Sequence, residues 1–532
     1  MLENVKSKNI INRIFKNIKN KRKLKIIKYN KSLMNKLHIA IDDFKVYEIL
    51  KEFNNKYNLD IDDIDDNELC LNYKGLENEG LKYFNEIKFN ELEYLYLHEN
   101  SLSDINIFEK INFEKLIILE LSSNQISDIS IFEKLNLKKL NELYLGYNEI
   151  SNIEILAKVN LEELKILSLE NNKISNINVL SKVNFKNINE LELNSNNIID
   201  INALEKANFK KLNILDLSYN EISDINVLGK VNFKEITILY LSYNNISNIN
   251  ILEKCDFPHL KKLNLCHNQI SDIKVLEKYD FKELNMLYLN NNKISDINSL
   301  DKANFKNFNI LDLSRNEISD ISSLERFDFK DIKKLNLSYN QISNINSLEK
   351  VNFKKIEEFL LGHNNILDIT ILEKVDFKEI KELQLSENKI SDINSLEKVD
   401  FKKIERLDLS MNKISNIDIL EKVDFKNINE LKLNNNEISD INVLERIDFK
   451  KIEKLYLFIN KISDINILEK VNFKCLKELD LSYNAISDIK ILEKVDFKEL
   501  ELLNLDYNDI LDMHILEKII ESKKIKIYCQ RK

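Results

Sequence analysis

The chain has 532 residues and a net charge of −9, and it contains 5 Gly, 1 Pro and no Trp. This charge disfavours nucleic-acid binding, and so few glycines argue against a glycine-rich phosphate-binding loop. The five cysteines and six histidines lack the spacing of a metal site or a disulfide framework. No nucleophile is paired with a base either, so we predict a protein that is not an enzyme and needs no cofactor or metal.

Residues 1–45 form a basic segment with apolar residues at helical spacing. Twelve Lys and Arg residues between Lys6 and Lys36 accompany a single acid, Glu3. One helical face would carry Ile10, Ile11, Ile14, Phe15 and Ile18. No apolar run has the length of a secretory signal or a membrane span. We therefore predict a small N-terminal helical module.

The stretches 7–18 and 24–37 resemble the core of an F-box, where a helix with an Ile-Phe pair precedes a leucine-bearing helix. The opening Leu-Pro and the Trp of that family are missing. The resemblance implies that the segment binds the adaptor of a cullin-type ubiquitin ligase. The adaptor-binding residues would be Ile14, Phe15, Leu24, Ile27 and Leu33.

Other interpretations of this segment remain open. A plain helical cap would pack its apolar face on the first coil of the following fold, whereas an F-box would stay exposed. Basic helices also lie on anionic membranes, and basic patches bind phosphates. Phe15 and Tyr29 are the only aromatic residues among the first 40, which argues against a single-stranded nucleic-acid site.

Residues 46–91 are predicted to be an acidic N-terminal cap with one degenerate repeat. An acidic run spans Asp60 to Asp66, and Leu69-Cys-Leu71 stands 26 residues before Leu95-Tyr-Leu97. Terminal coils of repeat proteins are expected to be atypical because one of their faces meets solvent.

Residues 92–508 repeat one 24-residue unit 18 times without an insertion or deletion. An Asn recurs at this interval at positions 100, 124, 148, 172, 196, 220, 244, 268, 292, 316, 340, 364, 388, 412, 436, 460, 484 and 508. A fixed period of this size predicts a solenoid, because each unit can bury its apolar face only against its neighbours. In each Leu-x-Leu run the leucines should point inward and their neighbours outward.

The unit resembles the leucine-rich repeat, as in Leu119-x-Leu121-x-x-Asn124-x-Ile126-x-x-Ile129. The resemblance implies an α/β fold, a right-handed horseshoe solenoid with a parallel concave sheet and short convex helices. From the residues we predict that the repeated Asn bonds backbone groups of neighbouring coils. Asn202 to Glu205 and Asn250 to Glu253 read as capping boxes, and a Phe in each repeat from Phe185 to Phe497 predicts a stacked core spine. Residues 509–532 are predicted to be a C-terminal cap with a longer helix and a final strand.

The outward positions of the strands differ between the two halves of the chain. The residue before the first Leu of Leu-x-Leu is apolar in six of nine repeats from Ile118 to Ile310, and in none of the next seven. A mixture of Ile, Met, Tyr and scattered charges is typical of a protein-binding surface. We predict a concave partner site at Ile118, Tyr144, Ile166, Ile214, Ile238, Tyr240, Met286, Tyr288 and Ile310, with Tyr240, Met286 and Tyr288 as anchors. Casual variation among duplicated repeats would leave the same pattern.

The sequence thus predicts a scaffold that binds a protein partner, with no nucleic acid and no membrane span. Since its cysteines should be reduced thiols, we expect it inside the cell, in the cytoplasm or the nucleus. The first hypothesis is an F-box-type substrate receptor of a ubiquitin ligase. The alternative is a regulatory or structural leucine-rich-repeat protein, similar to phosphatase regulators, without a ligase link.

Overall fold

A computed structural model describes residues 41–61, 67–87, 89, 91–278, 282–303, 305, 308–327, 329–495, 497–512, 514–523 and 525–530. The F-box-like residues Ile14, Phe15, Leu24, Ile27 and Leu33 lie outside these ranges. The chain forms two compact units. Unit 1 comprises the chain up to Asn245 together with Lys254–His259, and unit 2 comprises Ile246–Glu253 and Leu260–Lys532.

The described part of unit 1 begins with helix α1 (Ile41–Tyr57), which spans the predicted boundary between residues 45 and 46. A short helix α2 (Glu77–Leu81) and a 3₁₀ turn (Lys82–Asn85) follow the first strand. The strands are β1 (Glu68–Cys70), β2 (Tyr94–Tyr96), β3 (Ile118–Glu120), β4 (Glu142–Tyr144), β5 (Ile166–Ser168), β6 (Glu190–Glu192), β7 (Ile214–Asp216) and β8 (Ile238–Tyr240). Phe53 of α1 packs against Phe84, with ring centroids 6.2 Å apart, so α1 closes the first coil.

Unit 2 repeats the same coil and ends in helix α3 (His514–Lys523) and a last strand. Its strands are β9 (Lys262–Asn264), β10 (Met286–Tyr288), β11 (Ile310–Asp312), β12 (Lys334–Asn336), β13 (Glu358–Leu360), β14 (Glu382–Gln384), β15 (Arg406–Asp408), β16 (Glu430–Lys432), β17 (Lys454–Tyr456), β18 (Glu478–Asp480), β19 (Leu502–Asn504) and β20 (Lys526–Tyr528). The longer helix and final strand predicted after residue 508 are therefore confirmed.

Within each unit every strand pairs in parallel with the next one along the chain. The register follows the repeat, as in Ile118 opposite Glu142, except that β1 and β2 are offset by 26 residues, with Glu68 opposite Tyr94. The middle residue of each three-residue strand in β2–β8 is a fully buried Leu. These features confirm the predicted leucine-rich-repeat solenoid with its parallel sheet.

The predicted short helices behind the strands are 3₁₀ turns of four or five residues. In unit 1 they are Asn106–Lys110, Ser130–Lys134, Glu154–Ala157, Asn178–Ser181, Asn202–Lys206 and Asn226–Gly229, and Asn250–Lys254 spans the unit boundary in sequence. In unit 2 they are Lys274–Glu277, Asn298–Lys302, Ser322–Arg326, Asn346–Lys350, Thr370–Lys374, Asn394–Lys398, Asp418–Lys422, Asn442–Arg446, Asn466–Glu469 and Lys490–Glu493. Tight 3₁₀ geometry advances the chain about 2.0 Å per residue and lets a few residues cross the back of a coil.

The predicted capping boxes are wrong. Residue Ile201 precedes the turn Asn202–Lys206 and makes no side-chain cap bond. Instead Asp200 Oδ1 accepts the backbone N–H of Asn202 at 2.7 Å, and Asn248 Oδ1 accepts that of Asn250 at 2.9 Å. In both cases the Asp or Asn side chain two residues before the first residue of the turn accepts the backbone N–H of that first residue, as in an Asx turn.

The Asn ladder is confirmed, and the Phe spine is confirmed in part, because stacked rings are seen for some of its neighbouring pairs and Phe281 lies outside the described residues. Asn124 donates Nδ2–H to the carbonyl oxygens of Leu97 and Leu121, and its Oδ1 accepts the N–H of Leu102 at 2.9 Å. Phe185 and Phe209 stack with centroids 6.3 Å apart, and Phe209 with Phe233 at 6.2 Å. The ladder satisfies backbone groups that lie beyond the short strands, and the spine fills the space behind them.

Candidate functional site

The sheet face of unit 1 has an unusual composition. The first and third residues of β1–β8 flank the inward-pointing middle residues and face away from the core, and most are half-buried or exposed. The apolar or aromatic members are Tyr94, Tyr96, Ile118, Tyr144, Ile166, Ile214, Ile238 and Tyr240, and the acidic ones are Glu68, Glu120, Glu142, Glu190, Glu192 and Asp216. Cys70 and Ser168 complete the sixteen, so these eight described strands present no Lys, Arg or His there. We call these sixteen residues the unit-1 sheet face.

The structure brings six of the predicted partner-binding residues together on this face. They are Ile118, Tyr144, Ile166, Ile214, Ile238 and Tyr240. Met286, Tyr288 and Ile310 lie on the paired strands β10 and β11 of unit 2, where Lys262 Nζ stands 5.4 Å from the Tyr288 ring centroid. The predicted site therefore forms two groups, one in each unit.

Tyr94 and Tyr96 belong to the unit-1 sheet face but are missing from the predicted site. Both are half-buried on β2, which pairs with β3 in the regular register, with Tyr94 opposite Ile118. They occupy the same repeat positions as Ile118 and Glu120, so the 24-residue period could have identified them.

Two carboxyl groups of the unit-1 sheet face, Glu190 and Glu192, have a raised pKa. Burial raises the pKa of Glu190, and the nearby carboxylate of Glu142 raises it further. For Glu192 burial is again the main cause of a raised pKa, and Glu170, Glu190 and Asp216 add to it, although a hydrogen bond with Ser168 acts the other way. The face therefore holds crowded negative charge at neutral pH.

Tyr144 joins this acidic group through its hydroxyl. The Tyr144 O–H donates to Glu142 Oε2 at 2.9 Å. Burial and this bond raise the pKa of the phenol well above its ordinary range, so the hydroxyl stays protonated as a donor.

The corresponding face of unit 2 is charged but internally paired between β12 and β18. Lys334 Nζ lies 2.6 Å from Glu358 Oε2 on the next strand, and Arg406 forms an ion pair with Glu382. Further along, Lys432 lies 3.2 Å from Glu430. Each of the four cations at these strand positions lies within ion-pair distance of an acid, whereas the unit-1 sheet face has acids without cations.

A second row of exposed side chains follows the strands and was missed by sequence reasoning. The residue before each ladder Asn, from Glu99 to Tyr507, has φ between +48° and +57°. This left-handed conformation favours Gly and Asn, yet exposed members include Tyr147, Tyr219, Tyr243, Tyr339, Met411, Ile459 and Tyr483. In unit 1 the rings of Tyr219 and Tyr243 stack 3.9 Å apart, and in unit 2 Tyr339 stacks on His363 at 3.6 Å. We call it the turn row.

The described residues contain no grouped metal ligands, no helix suited to span a membrane, and one strongly shifted thiol. Within those ranges no three His, Cys, Asp or Glu side chains are grouped as a metal ion would need. No helix in the described part of the chain has the length and apolarity to cross a membrane. Burial raises the pKa of the Cys255 thiol to about 12, which keeps it protonated and unreactive at neutral pH.

Comparisons with known proteins agree with the architecture. Models of the leucine-rich repeat match residues 114–158 and 234–278 as two-copy repeats, and residues 210–225 and 474–489 as single repeats. These four stretches of the chain are therefore leucine-rich repeats. No curated protein matches the sequence.

Solved leucine-rich-repeat structures share this fold at low identity. A leucine-rich-repeat protein of Leptospira interrogans is 21% identical with a TM-score of 0.55, over 85% of this chain and 97% of that one. The plant peptide hormone receptor RGFR1, solved with RGF2, is 19% identical with a TM-score of 0.58, over 85% and 76% of the two chains. The Arabidopsis receptor kinase HAESA, solved with the peptide hormone IDA and the co-receptor SERK1, is 19% identical with a TM-score of 0.54, over 84% and 82%.

Proposed function

We propose that this protein is a non-enzymatic interaction scaffold and that the unit-1 sheet face binds a protein partner. The observation that carries the proposal is the cluster of half-buried Ile and Tyr side chains on neighbouring strands, set among carboxylates. Apolar and aromatic residues at the centre of a patch, with polar groups around them, are what protein interfaces use. Two plant receptors that share the fold are solved in complex with RGF2 and with the peptide hormone IDA, which fits a binding role for this fold.

Two matched double variants test the proposal. Ile214→Glu with Tyr240→Glu places two charges on β7 and β8 of the face. The control, Ile199→Glu with Tyr73→Glu, makes the same exchange at positions outside the strands that are 58% and 66% exposed. Partners captured by the full chain would be purified and titrated against each variant, with circular dichroism as the check on folding.

We expect at least about a ten-fold loss of affinity for the face variant, since losing two interface anchors costs more than about 1.4 kcal/mol, and no change for the control. Equal affinity in both variants would show that the partner binds elsewhere. The group on β10 and β11 in unit 2 is tested in the same way with Met286→Glu and Tyr288→Glu.

The ubiquitin-ligase role stays a prediction, because Ile14 to Leu33 lie outside the described residues. The alternative, a regulatory or structural repeat protein without a ligase link, relies on the same binding face. Capture of the ligase adaptor by the full chain, and its loss with Ile14→Asp and Phe15→Asp, would favour the first role. Retention of other partners without any adaptor would favour the second. We place the protein in the cytoplasm because its five cysteines lack the spacing of a disulfide framework.

A further inference from the structure

We propose that the partner of the unit-1 sheet face is an α-helical segment with alternating apolar and cationic side chains along one side. This inference rests on the proposed function and names the chemistry of the partner. It follows from the charge of the face and from the spacing of its side chains.

The negative charge of the unit-1 sheet face favours a partner that carries cationic side chains. Five of its carboxylates lie on four of the six strands from β3 to β8, at Glu120, Glu142, Glu190, Glu192 and Asp216. The shifts at Glu190 and Glu192 show that these groups are crowded and partly desolvated. A partner that brings Lys or Arg relieves this repulsion, which the paired charges of β12 to β18 do not require.

The first residues of β3 to β8 set the spacing. In strand order they alternate between apolar and acidic side chains before two Ile close the row: Ile118, Glu142, Ile166, Glu190, Ile214 and Ile238. Adjacent strands lie about 4.8 Å apart, so like residues recur about every 9.6 Å across the strands.

An α-helix laid across the strands matches this spacing. Residues i, i+7 and i+14 lie on one side of a helix about 10.5 Å apart. Residue i+3 or i+4 falls near the midpoint, about 4.5 Å from one of its neighbours and about 6.0 Å from the other. An extended peptide instead presents like-facing residues about every 6.7 Å and soon loses register. The row therefore suits a helix with an apolar residue at i and i+7 and a Lys or Arg between them.

Three fluorescein-labelled peptides of 18 residues test this chemistry with the full chain. The first is an Ala-rich helix with Leu at positions 2, 9 and 16 and Lys at positions 5 and 12. The second replaces both Lys by Glu. The third keeps the composition of the first but moves both Lys to the opposite side of the helix. Fluorescence anisotropy at low and at physiological salt gives the affinities.

We expect the first peptide to bind, the second not to bind, and the third to bind about ten-fold more weakly, with affinity falling as salt rises. The protein variant Glu142→Gln with Glu190→Gln should bind the first peptide with about ten-fold lower affinity. Its matched control is Glu109→Gln with Glu133→Gln. These carboxylates lie on the turns behind the sheet, 3.0 Å and 3.2 Å from Lys134 and Lys158, and the net charge changes equally.

Three outcomes would overturn the inference. Equal binding of the Lys and Glu peptides, or no effect of Glu142→Gln with Glu190→Gln, would refute a cationic partner. If either of these results were obtained while Ile214→Glu with Tyr240→Glu still abolished binding of the captured protein, the proposed function would stand and only the inferred chemistry of the partner would be wrong. Peptide binding that appears only after Lys19, Lys21, Arg22, Lys23 and Lys25 are changed to Gln would assign the face to the chain's own basic segment.

Discussion

Asn220 donates its side-chain amide to the carbonyl oxygen of Leu193, one coil earlier, at 3.0 Å. The same amide also donates to the carbonyl oxygen of Leu217 in its own coil, and Asn220 Oδ1 accepts the N–H of Ile198 at 2.9 Å. One buried side chain thus ties two coils together at the point where the strand hydrogen bonds end. Because the arrangement recurs in the described coils, the ladder supplies the polar bonds that three-residue strands cannot.

The first prediction concerns this side chain. Asn220→Ala leaves the buried N–H of Ile198 without its acceptor, whereas the carbonyl oxygens of Leu193 and Leu217 still accept from Asn196 and Asn244. We therefore expect a loss of about 1–3 kcal/mol in the free energy of unfolding. Asn226→Ala, at an exposed position, should stay within about 0.5 kcal/mol of the parent. Urea denaturation followed by circular dichroism measures both, and equal midpoints would show that the ladder does not stabilise the fold.

The second prediction concerns the entry into the 3₁₀ turns. Asp224 Oδ1 accepts the N–H of Asn226 at 2.8 Å. We expect Asp224→Ala to lower the free energy of unfolding by about 0.5–1 kcal/mol, and Asp224→Asn to be nearly neutral. The chain itself uses Asn at this position, since Asn248 accepts the N–H of Asn250. An Asn variant as unstable as the Ala variant would contradict the hydrogen-bond explanation.

The third prediction concerns the turn row. Ile459 has φ of +51° and is 41% exposed. Left-handed backbone is costly for a β-branched residue and tolerated by Asn, which occupies the same position at Asn435. We expect Ile459→Asn to raise the free energy of unfolding by about 1 kcal/mol. The matched control Ile199→Asn, at an exposed position without a positive φ, should bring no such gain in a denaturation midpoint.

The fold could be predicted because the same sequence pattern recurs in every repeat. The interval between ladder residues such as Asn100 and Asn124 fixes the coil, and alternating Leu residues fix which side of each strand is buried. The type of turn could not be predicted in the same way. A segment of five residues such as Asn202–Lys206 is too short for apolar spacing to distinguish 3.0 from 3.6 residues per turn. The prediction of capping boxes was wrong for the same reason.

The candidate site could be predicted in part. Outward residues such as Ile214 and Tyr240 follow from the period of two along a strand. The positive φ of the turn row could not, because its Tyr, Met and Ile residues give no local sign of left-handed backbone. Nor does the sequence show that the pKa values of Glu190 and Glu192 are raised, since burial and carboxylates on neighbouring strands cause these shifts.

The fourth prediction follows from the raised pKa of Glu192. A carboxyl group with a raised pKa in the folded state binds a proton more readily there than when unfolded, so its charge opposes folding at neutral pH. Glu192→Gln should therefore stabilise the fold at pH 7, and the gain should shrink as the pH falls through the raised pKa. Asp368 provides the opposite case, because its hydrogen bond with the N–H of Thr370 lowers its pKa.

For Asp368→Ala we expect a loss of stability at pH 7 that disappears as the pH falls through the lowered pKa of this carboxyl group. Urea denaturation at several pH values between 7 and 3 measures both variants against the parent. The same sign of pH dependence for the two would contradict the assigned environments.

The fifth prediction concerns the independence of the coils. Deleting Ile174–Asn197 removes one whole 24-residue repeat and joins Lys173 to Ile198 in register. Stability in a solenoid is close to a sum of coil and neighbour contributions, so we expect a folded protein with cooperative unfolding and a slightly lower midpoint. Deleting only Ile174–Phe185 removes half a repeat, misaligns every following Asn and Leu, and should abolish cooperative unfolding. If the whole-repeat deletion behaved like the half-repeat deletion, then contacts between distant coils, and not only between neighbours, would have to stabilise the fold.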